Sequence, residues 1–472
     1  MRLDPYIYIL HHRRTAWHRS VRSQAESYIP FYKRNLAVAF PVMLTQLGAA
    51  LVGLIDTIMV GHYSTTDLAA VSFANGIFFT FMVFSMGAVM AVTPLVGQAF
   101  VRNEERRVAS LLLNGLWSTL LIGGLTCVVL IGCVPLMSLM GQDPSVVTAA
   151  RPYLITRIIG MLPFLLFCLE KQFMEGLGNT VVAMIVTFGV NIVNVLLNWV
   201  FIFGHCGSPS MGATGAGLAS MIACVMMPIV FFAVIMSRSE WSKYIRLCKA
   251  ELSDCKTVRE LLQLGTPIGL QTTMETVLFT LSFIMVGWIS KEALAAHQVT
   301  NQVADFAFML SLGIGSATTI RVSHQYGLGD KRATRMAANA SIHLILVMNT
   351  IGAGIMIGLR HYIPYLFTED SEVIEMVSQL LVYAGLFQYA DGLQCVGAGM
   401  LRGITDVKVP MWITVISYVV IALPLGYALM FPAGFGVRGM WISFVVALTI
   451  AAVAFHVRFR QQIGESRNTK DI

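Results

Sequence analysis

Apolar runs of about 20 residues recur along the whole chain, and short polar segments separate them. A helix needs about 20 apolar residues to cross the hydrocarbon core of a bilayer. These runs are apolar around the whole helix, whereas the helices of a large soluble core would keep one polar face. The pattern therefore predicts an all-α integral membrane protein with twelve transmembrane helices. Their centres are predicted at about residues 49, 86, 122, 160, 191, 226, 272, 312, 347, 387, 417 and 448.

The composition agrees with this pattern. Of the 472 residues, 56% are hydrophobic and 12% are charged, and the mean hydropathy is +0.72. Soluble domains carry about 25% charged residues, so the composition excludes an ordinary soluble protein. We expect a multi-pass membrane protein.

The basic residues are distributed unequally between the two sides of the predicted membrane. If the N-terminus starts inside, 26 of the 32 Lys and Arg residues fall in inside segments and four fall in outside loops. Arg157 and Arg321 remain, and both lie in or near spans. This asymmetry follows the positive-inside rule, so both termini are predicted to be cytoplasmic. The net charge of +7 therefore reflects topology and does not indicate a nucleic-acid partner.

The sequence carries no motif of a known catalytic or metal-binding type. The eight cysteines are scattered, with no C-x-x-C pair and no histidine at metal-ligand spacing, and we interpret them as small core residues. There is no P-loop, G-x-S-x-G or H-E-x-x-H motif, so we expect neither an enzyme nor a cofactor. Residues 1–34 show no cleavage pattern and are predicted to form a basic tail rather than a signal peptide.

The chain contains an internal repeat with an offset of 226 residues. Under this shift, MVG at 59–61 and LAA at 68–70 each meet the same tripeptide. After one inserted residue, EGLGNT at 175–180 meets RGITDV at 402–407. Such agreement at one fixed offset indicates two related halves of six spans each.

The number of spans in each half determines how the halves are related. Because six is even, both halves enter the membrane in the same direction, and an axis along the membrane normal relates them. Transporters built from such halves place their site between them near mid-depth and rock around it. The predicted divisions are a basic cytoplasmic tail at 1–34, an N-terminal lobe at 35–237, a cytoplasmic linker loop at 238–260, a C-terminal lobe at 261–462 and a cytoplasmic tail at 463–472.

Four acidic residues lie well inside predicted spans, namely Asp56, Glu275, Asp305 and Asp391. An ionised acid at the centre of a span costs roughly 2.5–3.5 kcal/mol to insert, and such residues usually mark ion or substrate pathways. The structural alternative is a buried acid bonded to a neighbouring helix. For Asp305 this alternative is equally good, because the preceding HQVTNQVA is already polar.

A polar face is predicted on the fifth span. Asn194 and Asn198 are four residues apart, hence on one helix face, and Asn191 precedes them by one turn. Their side-chain carbonyl oxygens could ligate Na⁺, or the side chains could bridge to a carboxylate. Hydrogen bonding between helices is the alternative, and the sequence leaves both open.

Several motifs resemble the multidrug and toxic compound extrusion (MATE) family, in its NorM-like bacterial branch. The first half carries AFPVMLTQLG, LIDTIMVGHYSTTDLAAV, TPLVGQAF, EGLGNT and NVLLNWVFIFGH. The second half carries QLGTPIGLQTTMETVLF, AAHQVTNQ, TIRVSHQYG and LQCVGAGMLRG. The resemblance covers about residues 35 to 460.

The resemblance implies a fold, an activity and candidate site residues. It implies two six-helix lobes that open alternately and expel organic cations and other amphipathic compounds in exchange for Na⁺ or H⁺. It implies a coupling-cation site at Glu275 and Asp391. A second cation site in the first lobe would use Asp56 with Asn194 and Asn198.

Three further positions follow from the same resemblance. A hydroxyl on the sixth helix of the family corresponds to Ser220. Relatives often carry a tyrosine one turn before the tenth-helix aspartate, but here that position is Phe387, which offers no hydroxyl to a cation. Tyr389 is nearby, but an offset of two residues points to a different helix face. We therefore expect Phe387→Tyr to raise the apparent Na⁺ affinity.

The expected partners are organic cation drugs or toxins and the lipid bilayer, for a monomer in the cytoplasmic (inner) membrane of a bacterium. The alternative within the same superfamily is a flippase for a lipid-linked precursor, which would need a basic cavity, whereas the charges inside these spans are mainly acidic. An ion channel would need symmetric polar rings, and the repeat does not duplicate the acids.

Overall fold

The fold is all α, as predicted. The structure is a computed structural model that describes residues 5–248 and 253–465, with side chains described at 28–248 and 253–464, and it contains no strand within those ranges. Twelve helices in the described part are long and apolar enough to cross a membrane. They are α1 Tyr28–Tyr63, α2 Thr65–Val101, α3 Glu105–Leu139, α4 Pro144–Gly176, α5 Val181–Phe203, α6 Gly212–Ser237, α7 Cys255–Gly287, α8 Lys291–Gly327, α9 Lys331–Gly358, α10 Ser371–Gly403, α11 Lys408–Met430 and α12 Val437–Gly464.

The twelve predicted centres each fall inside one of these helices, so the prediction of twelve spans is confirmed. Short polar side chains fix where many of them begin, because each accepts a hydrogen bond from a backbone N–H of the first turn. These caps are Ser64, Asp143, Asp254, Ser290, Asp330 and Asp370.

Two segments outside the predicted spans are also helical. The first helix begins at Pro5, within the predicted tail, and continues without interruption into α1. Within the predicted linker loop, Ser239–Cys248 forms a short helix, and α7 begins at Cys255. The short helix is amphipathic, with Tyr244 buried while Lys243 donates a 2.5 Å hydrogen bond to Glu105 at the start of α3. Ten residues of mixed polarity carry no span-length signal, which is why the hydropathy pattern did not predict this helix.

Prolines account for two irregularities inside the spans. Helix α2 is interrupted at Met90 and Ala91 because Pro94 has no N–H for the Met90 carbonyl. Helix α11 contains a π-helical segment, Ile416–Ala422, just before Pro424, which cannot bond the Val420 carbonyl.

The internal repeat is visible in the packing of each lobe. In the first lobe, the Thr93 hydroxyl on α2 donates to the Gln172 carbonyl on α4 at 3.0 Å. In the second lobe, the Thr319 hydroxyl on α8 donates to the Gly399 carbonyl on α10 at 3.1 Å. The two bonds occupy equivalent positions in the repeats, so the halves share their architecture as well as their sequence.

The two lobes meet through equivalent helix pairs. Helix α2 packs on α7 where a Cβ on Gly87 would lie 2.8 Å from the Gly269 Cα. Helix α8 packs on α1 where a Cβ on Gly313 would lie 2.9 Å from the Met43 Cα. The 226-residue offset relates Gly87 to Gly313 and Met43 to Gly269, so the same crossing is used twice.

Polar contacts between the lobes lie at mid-depth or toward the predicted cytoplasmic loops throughout the described chain. Asn35 on α1 donates to the Ala337 carbonyl on α9 at 2.9 Å, and Arg321 donates to Asn35 at 3.3 Å. Arg107 at the start of α3 forms an ion pair with Glu260. The lobes are therefore joined on this side.

Candidate functional site

The first candidate site lies inside the C-terminal lobe and is centred on Glu275 of α7. Its carboxylate accepts a 2.9 Å hydrogen bond from the Gln394 amide of α10 and a 3.4 Å bond from Gln271, one turn earlier on α7. Two amide donors on one oxygen fix the position of the carboxylate. Glu275 is thus held in place by both helices that the sequence analysis singled out.

Asp391 lies on α10, one turn before Cys395, and it is 4% exposed. It is close enough to Glu275 and Asp305 for the charges to interact. No side chain in the described part of the protein donates a hydrogen bond to its carboxyl group. A buried acid without a donor is costly when ionised unless a cation neutralises it, so a cation beside Asp391 would lower that cost.

Arg402 and Tyr418 also belong to this site, and the sequence analysis did not select them. Arg402, near the end of α10, is close enough to Glu275 to interact with its charge. Tyr418 is 1% exposed, lies in the π-helical segment of α11, and is close enough to Glu275 and Asp391 to interact with their charges. The sequence offered no signal for Tyr418, because the π-helical segment, a feature frequent at functional sites, is visible only in the structure.

Phe387 lies one turn before Asp391 and packs into an aromatic cluster. Its ring centroid is 5.5 Å from that of Trp441, 6.1 Å from Phe444 and 6.3 Å from Phe279. The side chain is 4% exposed. The residue that lacks the family hydroxyl is therefore a core residue of this lobe.

Tyr389 and Asp305 were the weaker candidates in this lobe. The Tyr389 hydroxyl donates to Thr350 of α9 at 3.0 Å, which agrees with the expectation that it points to a different face. The Asp305 side chain is exposed on α8. Asp305 is close enough to Asp391 for their charges to interact, but it makes no hydrogen bond to Asp391 or Glu275.

The second candidate site lies in the N-terminal lobe between α1 and α5. The Asn198 amide donates to the Asp56 carboxylate at 2.5 Å and to the side-chain oxygen of Asn194 at 3.3 Å. Asn191 instead donates to the Gly48 carbonyl at 3.3 Å, which joins the two helices. The structure thus brings Asp56, Asn194 and Asn198 together, and the Asn198 side-chain oxygen is buried without a donor.

Arg157 of α4 is the residue of this site that the sequence analysis left aside. Its guanidinium lies over the Phe78 ring, 4.5 Å from the centroid, and is close enough to Asp56 to interact with its charge. Ser220 on α6 is 8% exposed, and no hydrogen bond joins it to Asp56. The resemblance implied that the Ser220 hydroxyl belongs to this site, but in the structure it makes no hydrogen bond to the Asp56 carboxylate.

Neither site has the ligand set of a transition metal. In the described residues, no group of three or more His, Cys, Asp or Glu side chains is arranged to hold a metal ion. Each site offers one or two carboxylates with amide or hydroxyl groups. This set suits a proton, or a hard monovalent cation that prefers oxygen ligands.

A family model identifies both halves independently. The MatE model matches residues 41–200 and again residues 267–428, and the two matches start 226 residues apart, which is the offset of the repeat. The chain belongs to the MATE family. Its curated relatives place it in the NorM-like branch, and MATE proteins are transporters, not enzymes.

Two relatives illustrate the similarity along the chain. The "Probable multidrug resistance protein NorM" of Agrobacterium fabrum is 32% identical over 446 residues, which cover 93% of this chain and 96% of that protein. The "Multidrug resistance protein MdtK" of Edwardsiella ictaluri is 31% identical over 430 residues, covering 90% and 94% respectively.

Solved structures share the fold. The crystal structure of the eukaryotic MATE transporter AtDTX14 matches with a TM-score of 0.83 over 93% of this chain and 99% of that one, at 19% identity. The fold of this MATE protein is therefore that of the solved transporters, while its site must be argued from its own residues.

Proposed function

We propose that this MATE protein is a secondary active multidrug efflux transporter that exchanges organic cations and amphipathic compounds for Na⁺ or H⁺. The names of the NorM and MdtK relatives support multidrug efflux. The observation that carries the coupling proposal is the buried pair of Glu275 and Asp391. We place the protein in the inner membrane of a bacterium as a monomer, with both termini in the cytoplasm.

The proposed exchange follows from electrostatics. Glu275 is stabilised by two amides and by the charge of Arg402, whereas Asp391 has no donor. One added cation neutralises Asp391, but a second cation beside it would meet like charge in a medium of low dielectric constant, at a cost of several kcal/mol. Drug and coupling cation therefore bind alternately, and inward flow of the cation drives the drug outward.

The N-terminal site has a different balance of charge. Asp56 already has Arg157 nearby and Asn198 as a donor. A cation bound there would compete with the guanidinium for the carboxylate. We therefore assign the primary coupling role to the Glu275 and Asp391 pair and an auxiliary role to Asp56, Asn194 and Asn198.

A flippase for a lipid-linked precursor is the alternative. It would bind a pyrophosphate in a basic cavity. The arginines inside the candidate sites instead lie near carboxylates, Arg157 near Asp56 and Arg402 near Glu275. This arrangement favours a cationic substrate.

Neutral variants of the two acids test the proposal in proteoliposomes with an imposed cation gradient. We expect Glu275→Gln and Asp391→Asn each to abolish gradient-driven efflux of a fluorescent organic cation, because the amides retain shape but lose charge. The matched control is Glu369→Gln, which removes an exposed acid from a loop and should transport normally. Transport against a gradient by both neutral variants would show that the acids are structural.

A further inference from the structure

Two hydrogen bonds cross between the lobes at the predicted cytoplasmic end of the protein. The Gln98 side-chain amide of α2 donates to the Gly403 carbonyl of α10 at 3.0 Å. Nε2 of His324 on α8 lies 2.7 Å from the Gly176 carbonyl of α4. A carbonyl oxygen only accepts, so Nε2 carries the hydrogen in this contact. We call these two bonds the cytoplasmic pair.

The internal repeat relates the members of the cytoplasmic pair to each other. The 226-residue offset takes Gln98 to His324, and the offset of 227 that follows the inserted residue takes Gly176 to Gly403. Gln98 of the first lobe thus donates to the second lobe, and its counterpart His324 donates from the second lobe to the first. Such reciprocity is what a two-fold axis between two similar partners requires.

A contact close to the axis supports this relation. A Cβ on Gly97 would lie 2.5 Å from the Ser323 hydroxyl oxygen, and Gly97 and Ser323 are themselves equivalent under the offset. A residue that touches its own counterpart lies beside the axis. The cytoplasmic pair therefore flanks the pseudo-two-fold axis.

The accepting carbonyls are available because both helices end in the same way. At the end of α4, the Asn179 N–H bonds the Met174 carbonyl, and at the end of α10, the Asp406 N–H bonds the Leu401 carbonyl. Both closures leave the last helical carbonyls, those of Gly176 and Gly403, without a partner in their own helix.

Glycine is also required at both accepting positions. A Cβ on Gly176 would lie 2.8 Å from the Val96 Cβ, and one on Gly403 would lie 2.8 Å from the Val322 Cβ. Val96 and Val322 are again equivalent, and each precedes its donor by two residues on α2 or α8. The close approach of these helices to the ends of α4 and α10 places each donor beside the carbonyl of the other lobe.

We propose that the cytoplasmic pair holds the lobes closed on the cytoplasmic side and must break before drug can enter from the cytoplasm. The inference rests on the alternating-access part of the proposed function. Each member is a hydrogen bond that can break without leaving an ionised partner behind, which suits a contact that opens in every cycle. Arg102 donates a further 2.9 Å hydrogen bond to the Gly327 carbonyl of the other lobe. The repeat does not duplicate this bond, because the counterpart of Arg102 in the second lobe is Leu328.

The test measures the conformational equilibrium directly, in the full chain in lipid nanodiscs without drug. Spin labels replace Arg106 and Arg332, which are exposed, lie in different lobes and are equivalent under the offset. Their distance distribution, obtained by double electron–electron resonance, reports closure of the cytoplasmic side.

We expect Gln98→Leu and His324→Leu each to raise the ratio of open to closed molecules about five-fold, the factor for one neutral hydrogen bond. The double variant should raise it about 25-fold if the two contributions add. His324→Gln reproduces the donor of the other lobe and should return the distribution to that of the wild type. Gln325→Leu, one residue further along α8, is the matched control and should leave the distribution unchanged.

Two results would overturn the inference. One is an unchanged distribution in the double variant, and the other is opening by His324→Gln as large as that by His324→Leu, which would assign the effect to packing. Neither result depends on the coupling ion or on Glu275 and Asp391. The distance measurement can therefore contradict the role of the cytoplasmic pair without contradicting the proposed efflux. Conversely, the efflux test can contradict the proposed function while the distance measurement agrees with the role of the pair.

Discussion

At the scale of single residues, the aromatic cluster changes what is expected of Phe387. From the sequence alone, restoring the family tyrosine should raise Na⁺ affinity. In the structure, the ring is enclosed by Phe279, Trp441 and Phe444, so an added hydroxyl enters an aromatic core. A buried hydroxyl without a partner costs about 1–3 kcal/mol.

We therefore expect Phe387→Tyr to lower the free energy of unfolding by about 1–3 kcal/mol and to change the Na⁺ dependence of efflux little. Thermal unfolding of the purified protein, with and without Na⁺, measures both effects. An unchanged stability together with about five-fold tighter Na⁺ binding would show that the hydroxyl reaches the cation site after all.

The acids of the candidate site could be selected from the sequence, but their neighbours in the structure could not. Asp391 and Glu275 stand out because a charge inside an apolar run is costly and therefore conspicuous. Gln394 is uncharged and lies 119 residues from Glu275 in the chain, and only the packing of α10 against α7 brings the two together. Tyr418 is likewise uncharged at neutral pH, and only the folding of α11 brings it near the two acids.

At the scale of elements, the close packing of α8 and α10 depends on glycine. A Cβ on Gly399 of α10 would lie 3.1 Å from the Gly315 carbonyl carbon of α8 and 3.3 Å from the Thr318 Cβ. Backbone cannot move aside as a flexible side chain can. The two helices would have to separate.

We expect Gly399→Ala to lower the free energy of unfolding by about 1–3 kcal/mol, the usual cost of overpacking. Gly354→Ala on α9 is the matched control, because nothing lies within 4 Å of the added Cβ. That substitution should be neutral or stabilise by up to about 1 kcal/mol through helix propensity. Comparable thermal stability of the two variants would contradict the proposed packing role.

Span positions could be predicted because length and hydropathy suffice for them, whereas the irregular elements needed the structure. The π-helical segment of α11 depends on how the chain accommodates Pro424 against its neighbours. The helix at Ser239–Cys248 depends on contacts with α3. The pattern of apolar runs therefore predicts neither the π-helical segment nor the short helix.

At the scale of the whole molecule, orientation in the membrane can be tested by labelling. Arg246 is exposed on the short helix of the predicted cytoplasmic linker, and Tyr362 is 72% exposed in a predicted outside loop. In a cysteine-free background, we expect an impermeant thiol reagent added to intact cells to label Tyr362→Cys and to spare Arg246→Cys. Strong labelling of Arg246→Cys would overturn the orientation and, with it, the cytoplasmic location of the closed side.

The duplication is the feature that sequence and structure establish together. The same repeat, with its one inserted residue, relates the two family matches, the helix crossings and the hydrogen bonds inside and between the lobes. The acids inside the spans are not repeated, because Glu275 corresponds to Ala49 and Asp56 corresponds to Ser282. One architecture thus holds two different candidate sites, and the proposed function assigns the coupling to the one in the second lobe.

The central claim is that cation flow into the cell drives drug out. The most direct test uses proteoliposomes preloaded to impose either a Na⁺ gradient or a pH gradient, with no nucleotide present, and follows a fluorescent organic cation moving against its own gradient. The account predicts uphill transport under at least one of the two gradients, and its loss when that gradient is collapsed by the matching ionophore. Uphill transport under neither gradient, by protein that still binds the organic cation, would contradict it.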